Sequence, residues 1–397
     1  MTPAARVQAA IDLLDLIIAA ARDDGPAADT LIARYFRDRR YAGSKDRRAV
    51  RELVYSAIRR FGDRPDNGRS AMIGLARDDE ALAALFDGSA HAPAPISDAE
   101  ASPEQTLLPS WIIPQFASII DEGEQAALLE RAPLHIRANP AIATRAALLT
   151  HWPDAVAIPG TRNGVVLPAG TDVEHDADAA RLAVEIQDAG SQIISQACAV
   201  QPGMTVLDLC AGAGGKTLAL AVDMLDQGRL IAADTVRDRL ARLLPRAERA
   251  GCARLIETML LDSGREMEVL APLTGQCDVV LIDAPCSGSG VWRRNPEARW
   301  RLTPARLDRI ISLQARLLRL AAPLVKPGGR LVYAVCSLID REGSGQIEQF
   351  LRFDPSWQTV HIAGDDRKGT EWGEGVLLTP KRDETDGFFF TVLEKPC

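Results

Sequence analysis

Two cysteines stand where this chain could do chemistry. Cys286 closes the apolar run Val279-Val280-Leu281-Ile282-Asp283-Ala284-Pro285-Cys286, and Cys336 closes Arg330-Leu331-Val332-Tyr333-Ala334-Val335-Cys336. Each run is short, β-branched and bounded by Gly, Pro or Ser, which predicts a buried parallel strand. The carboxyl ends of such strands are where open α/β sheets place their ligands. A lone strand-end cysteine is more often a core residue, because free Cys is among the most buried types. Two of them on one sheet edge point to thiol chemistry done by a pair.

The ligand beside them is read from a glycine loop and a row of acids. The loop runs Asp208-Leu209-Cys210-Ala211-Gly212-Ala213-Gly214-Gly215-Lys216-Thr217, between a strand pattern and a helix pattern. A phosphate loop needs Gly where Cys210 stands, and a dinucleotide fingerprint needs a third Gly where Thr217 stands. What remains is a short turn that lets the backbone approach an amino-acid carboxylate or an adenosine-type ligand. The next strand ends in Asp234, placed to accept from both hydroxyls of a ribose. Further strands end in Asp262, suited to an adenine amino group, and in Asp283. One such acid alone is usually a turn or cap residue. A row of them suggests S-adenosylmethionine, whose ribose, adenine and ammonium all need acceptors.

The elements that must position these residues follow from periodicity. Strand runs at Thr205–Cys210, Leu230–Asp234, Leu255–Leu261, Val279–Asp283 and Leu331–Cys336 alternate with helical stretches at Lys216–Leu225, Val236–Arg249 and Pro304–Leu320. That alternation predicts a doubly wound parallel sheet over 183–397. Gly387–Leu393, after Trp357–Ile362, predicts an antiparallel edge hairpin. Residues 1–86 read as a small helical domain, with helices over 5–22, 31–36, 48–61 and 72–86 and Ser44 as an N-cap. Residues 87–105, rich in Ala, Pro, Ser, Asp and Gly, have linker composition. Residues 106–182 mix helix patterns at Trp111–Ile120 and Glu124–Arg131 with short strands at Leu134–Ala138 and Gly164–Leu167. They predict a small α+β connecting segment.

Composition narrows the class. The chain has 397 residues, 47% hydrophobic and 25% charged, with seven cysteines and no C-x-x-C pair. A disulfide framework, a zinc site and any other metal centre are therefore not expected, and a reducing cytoplasm is the natural setting. No apolar run is long enough for a transmembrane helix, and the first residues do not read as a signal peptide. Net charge is −8, yet Arg34–Arg60 holds ten basic and three acidic residues, and Arg293–Arg319 holds eight and two. Local basic stripes, more than a global sum, decide phosphate binding.

The motifs together resemble the Sun (Fmu) family of RNA cytosine-C5 methyltransferases. The resemblance is carried by Gln187-Asp188-Ala189-Gly190-Ser191-Gln192, Asp208–Thr217, Asp283-Ala284-Pro285-Cys286-Ser287-Gly288, Arg294-Asn295-Pro296, Val335-Cys336-Ser337 and Asp386-Gly387-Phe388-Phe389. They span most of 183–397, whereas 106–182 resembles the family only loosely. Residues 1–86 are similar to the NusB-like RNA-binding domain of the bacterial ribosomal RNA members, so the domain order resembles the RsmB type. In one departure, Gly212-Ala213 stand where the family usually has Ala-Pro.

The resemblance implies a Rossmann-like class I methyltransferase domain with a seven-stranded, mostly parallel sheet. It implies an S-adenosylmethionine cofactor held by Cys210, Ala211, Gly212, Ala213, Gly214, Gly215, Lys216, Asp234, Asp262 and Asp283. The expected activity is methylation of cytosine C5 in small-subunit ribosomal RNA. Alternatives are a transfer RNA target, or an idle RNA-binding assembly factor.

Cytosine C5 is a poor nucleophile until a thiolate adds at C6. Spacing leaves open which cysteine attacks. A Pro-Cys nucleophile, as in the DNA enzymes, would be Cys286. The family resemblance instead implies Cys336 as nucleophile and Cys286 in product release. It also puts Asp283 at N3 of the base and Lys216 beside Asp283 or the target nucleotide. RNA is expected along Arg39, Arg40, Arg47, Arg48, Arg293, Arg294, Asn295 and Arg299, gripping phosphates around an unstacked base. Trp292 and Trp300 are expected in the core, with stacking on bases the less common fate. A monomer is expected.

Overall fold

The computed structural model describes all residues except 24, 174, 175, 177, 178, 180 and 362–367. Ile362, the last residue of the expected strand 357–362, thus lies outside the described residues. The chain forms two compact units, Met1–Arg131 with Val291–Arg306, and Ala132–Gly290 with Leu307–Cys397. These boundaries differ from those suggested by composition. The helical unit extends to Arg131 and includes a segment from the middle of the sheet region.

The first unit is built on α1 (Pro3–Arg22), α2 (Ala28–Arg37), α3 (Ser44–Arg60) and α4 (Gly68–Ala76). Thr2 caps α1, its hydroxyl accepting from the Ala5 N–H, with Pro3 in the first turn. Val7, Leu14, Ile17 and Ile18 face a core shared with Val54, Ile58 and Met72. α3 begins at Ser44, so Gly43, and not Ser44, holds the cap position. Asp46 accepts from the Gly43 N–H, the Met1 amino group and Arg6. The helix expected over 72–86 is two shorter ones, because Asp79 caps a new helix, accepting from the Leu82 N–H. Trp111–Ile120 holds only a single 3-10 turn, Ile113–Gln115, and 124–131 gives the helix Glu122–Ala127.

The segment of linker composition is pinned to the helical unit. Arg69 pairs with Glu100 through two nitrogens and donates to the Ala94 and Pro95 carbonyls. Composition reports backbone preference, and five guanidinium donors in a fixed fork override it.

The second unit carries two sheets. The smaller is antiparallel, in the order β2-β3-β1-β4, from β1 (Leu134–Arg137), β2 (Val156–Ala157), β3 (Gly164–Leu167) and β4 (Glu185–Ile186). The larger contains β5 (Thr205–Asp208), β6 (Arg229–Asp234), β7 (Ile256–Leu260), β8 (Cys277–Asp283), β9 (Val325–Val335), β10 (Gln358–Thr359), β11 (Thr370–Trp372), β12 (Gly375–Leu378) and β13 (Phe388–Glu394). Its order is β11-β12-β13-β9-β8-β5-β6-β7, with β10 beside β13. Strands β9, β8, β5, β6 and β7 are mutually parallel, and β13 runs antiparallel to β9. Seven strands form the expected mostly parallel sheet, and the short β10 and β11 bring the described total to nine.

Val280, Leu281 and Ile282 are fully buried, as parallel strands covered on both faces require. The helix expected over Val236–Arg249 is split into Arg237–Leu240 and Leu243–Arg249. Pro245 cannot donate to Ala241, so the first piece ends there.

Candidate functional site

The register of the parallel strands sets out the site. Asp208 stands beside Ala232 and Leu281, Asp234 beside Leu260, and Asp283 beside Ala334. Four strand ends therefore present their acids and cysteines along one edge. Asp208 is buried, and its Oδ2 accepts from the Thr217 hydroxyl at 2.7 Å. Its Oδ1 has no hydrogen-bond partner. Burial, opposed by the Thr217 bond and reinforced by the Asp283 charge, pushes this carboxyl up to about 7.

The glycine loop turns directly after Asp208. Gly212 (φ +57°) and Gly214 (φ +86°) adopt left-handed backbone, which a side chain would strain. A Cβ added at Gly212 or Gly215 would meet no atom within 4 Å. Asp234 ties the loop to its own strand end. Its Oδ2 accepts from the Gly212 N–H at 2.8 Å, and its Oδ1 from the Val236 N–H at 2.7 Å. Two further residues hold the loop from behind. Gln187 donates to the Gly215 carbonyl at 3.1 Å while accepting from the buried Arg137 at 2.7 Å. Arg246 bridges the Ala213 carbonyl to Glu185. Sequence reading saw Gln187 only as part of a motif and gave no sign of Arg246, whose partners are 33 and 61 residues away.

Lys216 lies in the first turn of the helix Gly215–Asp223, and its Nζ meets Asp283 Oδ2 at 2.7 Å. The ammonium is buried, whereas the carboxylate is one-third exposed. Burial draws the ammonium down, but the Asp283 charge and hydrogen bond, with the Cys336 sulfur and Asp208, outweigh it and raise it. The two expected thiols lie together, Cys286 Sγ to Cys336 Sγ 3.2 Å. The hydrogen bond to Cys336, burial, and the charges of Cys336 and Glu342 push the Cys286 thiol well above its ordinary value. Cys210 is also raised well above its ordinary value, by burial and then by Asp208, Asp283 and Asp234. Asp262 follows β7 and is 70% exposed, 3.7 Å from Arg265.

Gly290 ends the loop after Cys286, where a Cβ would lie 1.9 Å from the Gly387 carbonyl oxygen. The bare backbone lets the Gly387 N–H donate to the Gly290 carbonyl at 2.8 Å. This contact joins the Pro-Cys loop to the Asp386-Gly387-Phe388-Phe389 segment.

Comparison with known proteins identifies the family. Residues 195–394 match the family described as 16S rRNA methyltransferase RsmB/F. A probable ribosomal RNA small subunit methyltransferase B from Synechocystis is 32% identical over 304 residues, 74% of this chain and 68% of that protein. The chain belongs to the RsmB/F family. The ribosomal RNA small subunit methyltransferase B of Xanthomonas campestris is 32% identical over 297 residues, 72% of this chain and 66% of that protein. The fold is shared with a methyltransferase homolog protein from Pyrococcus horikoshii, at TM-score 0.60 and 24% identity over 71% of this chain and 92% of that one. The crystal structure of PH0851 matches at TM-score 0.77 and 21% identity, covering all of both chains.

RsmB/F proteins are S-adenosylmethionine-dependent enzymes, and the residues at this edge fit that group. The orphaned Asp208 Oδ1, the buried Asp234 and the open space over Gly212 and Gly215 supply acceptors and room. No metal-binding cluster occurs among the described residues, and no helix there is long and apolar enough to cross a membrane. A cavity of about 520 Å³, lined among others by Arg330, His361, Lys368 and Glu371, has no described lining residue at this edge.

The basic residues divide. Arg40, Arg47 and Arg48 are exposed, and Arg39 is half-buried, stacked 3.6 Å over the Tyr35 ring. Asn295 is exposed and Arg294 half-buried. Arg299 contradicts its expected role in RNA binding. It is 1% exposed and donates to the carbonyls of Pro296, Ile58 and Phe61 at 2.8, 2.6 and 3.0 Å. Arg293, 6% exposed, is likewise withdrawn from any phosphate. Trp292 and Trp300 are buried, with Trp300 Nε1 donating to Phe61. Arg299 caps the end of α3 instead of presenting charge. Arg299→Ala is therefore expected to destabilise the protein by about 3 kcal/mol, through lost charge-assisted bonds and a cavity. Urea unfolding measures this, and RNA affinity per folded molecule should not change.

Proposed function

We propose that this enzyme methylates C5 of a cytosine in small-subunit ribosomal RNA through a covalent bond between a cysteine and C6. The observation carrying this reading is the thiol pair, 3.2 Å apart, on strands neighbouring the Lys216–Asp283 ion pair. Other methyl acceptors, such as a ribose hydroxyl or an exocyclic amine, do not need two thiols.

Cys336 is the attacking sulfur. Its sulfur is among the groups whose proximity favours the protonated Lys216 ammonium. Cys286 is held toward its protonated form by the hydrogen bond to Cys336, by burial and by the Cys336 and Glu342 charges, which outweigh an opposing backbone hydrogen bond at Gly288. A thiol that keeps its proton is a poor nucleophile and a good partner for a departing thiolate. As Cys336 adds to C6, negative charge builds on N3. Lys216 and Asp283 hold a proton between nitrogen and oxygen at 2.7 Å and offer it there. The bound cofactor supplies an electrophilic methyl sulfonium for C5. A base, water if no side chain serves, then takes the C5 proton as the C6–sulfur electron pair leaves with Cys336, and the Cys286 thiol 3.2 Å away donates a hydrogen bond to the released thiolate. Asp208, Asp234 and the 210–215 loop hold the cofactor, with Asp262 at its adenine. Arg40, Arg47, Arg48, Arg294 and Asn295 supply contacts to RNA.

Asp208 gives this reading a pH signature. A cationic amine beside Oδ1 favours the ionised carboxylate, whereas burial, the largest of several influences, pushes that carboxyl up to about 7. Below pH 7 binding must first expel a proton, so cofactor affinity should fall up to about tenfold per pH unit. Calorimetric titration of the cofactor from pH 5.5 to 8 is expected to show this slope, and Asp208→Asn to flatten it.

The direct test incubates the enzyme with methyl-labelled cofactor and either unmodified small-subunit rRNA or unmodified tRNA, followed by nucleoside mass spectrometry. Labelled 5-methylcytidine from rRNA supports the proposal. The same product from tRNA alone moves the substrate, and label in any other nucleoside overturns the chemistry.

A further inference from the structure

Six residues beyond Cys336, Glu342 is fully buried, and the reaction outlined above does not use it. It sits in a 3-10 turn, Asp340–Glu342, just past the end of β9. Its Oε1 accepts from the Ser287 N–H at 2.8 Å and from the Gln314 side-chain amide at 2.9 Å. Its Oε2 accepts from the Ser337 hydroxyl at 2.6 Å. Ser287 directly follows Cys286, and Ser337 directly follows Cys336. One carboxylate thus bonds to the residue after each thiol.

The surroundings are built to hold that arrangement. Gln314 also donates to the Pro285 carbonyl at 2.9 Å, just before Cys286. The Ser337 hydroxyl lies 3.2 Å from Ser287 Oγ and 3.0 Å from Ser289 Oγ. The buried Tyr333 donates to the Glu342 carbonyl at 2.8 Å. A buried carboxylate without partners is costly, so one retained here with three donors marks a position where the donors must not move.

We propose that Glu342 is the positioning residue of the thiol pair, bridging the loop after Cys286 to the loop after Cys336 and so setting the distance between the two sulfurs. The inference rests on the reading of that pair as the reacting groups. Glu342 bonds to the residues beside the two sulfurs, and it acts through reach. The side chain must span two strand-end loops, and a carboxylate one methylene shorter cannot serve both.

Reach and charge are separated by two variants. Glu342→Gln keeps the length and the Oε1 acceptor and removes the charge, while the Ser337 hydroxyl can turn to accept. Glu342→Asp keeps the charge and loses the reach. The readout is closure of the pair to a disulfide by an azo oxidant such as diamide. Two thiol hydrogens pass to the N=N bond, leaving a hydrazine and one S–S bond. Tryptic fragments 266–293 and 331–341 become linked, and neither RNA nor cofactor is needed.

Glu342→Gln is expected to close within about threefold of the parent, and Glu342→Asp at least about tenfold more slowly. In methyl transfer, Glu342→Asp is expected to lower kcat with KM for RNA unchanged. Parental closure in Glu342→Asp overturns the proposal, as does slow closure in Glu342→Gln or a parent that does not close. Should the parent make no 5-methylcytidine while this order of closure rates holds, the proposed function fails and the positioning role stands.

Discussion

Cys336→Ala is expected to abolish methyl transfer, with a loss of at least about 10⁴-fold in kcat. The size follows from the electronics of the base. Without a sulfur on C6 the ring does not become an enamine, and C5 does not displace the sulfonium methyl group. No other group at the site replaces that sulfur. Cys286 is nearest, but its proton is held by its neighbours. Cys210 is raised in the same way by burial and three carboxylates. The loss should appear in kcat alone. On the proposed reading the glycine loop carries cofactor affinity, and the removed side chain is only partly buried, so folding changes by about 1 kcal/mol or less. Steady-state methyl transfer with melting curves on the same samples checks both statements.

Cys286→Ala is expected to have the opposite signature. Attack and methyl transfer proceed, because Cys336 and the Lys216–Asp283 pair remain. Breakdown of the adduct slows, because the group 3.2 Å from the departing sulfur is gone. Turnover should fall by about 10²-fold or more, the scale of a lost acid–base partner, and protein bonded to RNA should accumulate. A slower band on a denaturing gel, sensitive to ribonuclease and dependent on cofactor, is the expected observation. The same band from Cys336→Ala would exchange the two roles.

Much of this edge was legible in the sequence because parallel strands leave a strong local signal. Continuous runs such as Val279–Ile282 admit little but burial on both faces, and the residue types at their ends then fall on one line. The glycine loop was legible for a similar reason, since its left-handed backbone falls at two glycines, Gly212 and Gly214. The departure at Gly212-Ala213 leaves the loop intact, as Asp234 accepts from the Gly212 N–H.

What was not legible depends on partners distant in sequence. Arg299 looks like any arginine in a basic stripe, and only its bonds to Ile58 and Phe61, some 240 residues away, reveal an internal cap. Composition reads the stripe as exposed charge, whereas half of its first four arginines are buried: Arg293 and Arg299, against Arg294 and Arg301. Glu342 has the same history. It follows Cys336 in a polar stretch that reads as a turn, and its three donors come from three separate segments. The segment 87–105 has linker composition, and one side chain, Arg69, gathers it against the helical unit.

The central claim is a bond from Cys336 to C6 of a cytosine, and substrate RNA carrying 5-fluorocytidine tests it most directly. Fluorine at C5 leaves no proton to remove after methylation, so the adduct cannot eliminate. Parent enzyme, cofactor and this RNA are combined, digested with ribonuclease and trypsin, and analysed by mass spectrometry. The two thiols fall on different fragments, Cys336 on 331–341 and Cys286 on 266–293. The account predicts a methylated fluorocytidine on fragment 331–341, formed only with cofactor. The same nucleotide on fragment 266–293, or methylated RNA with no adduct on either fragment, would contradict it.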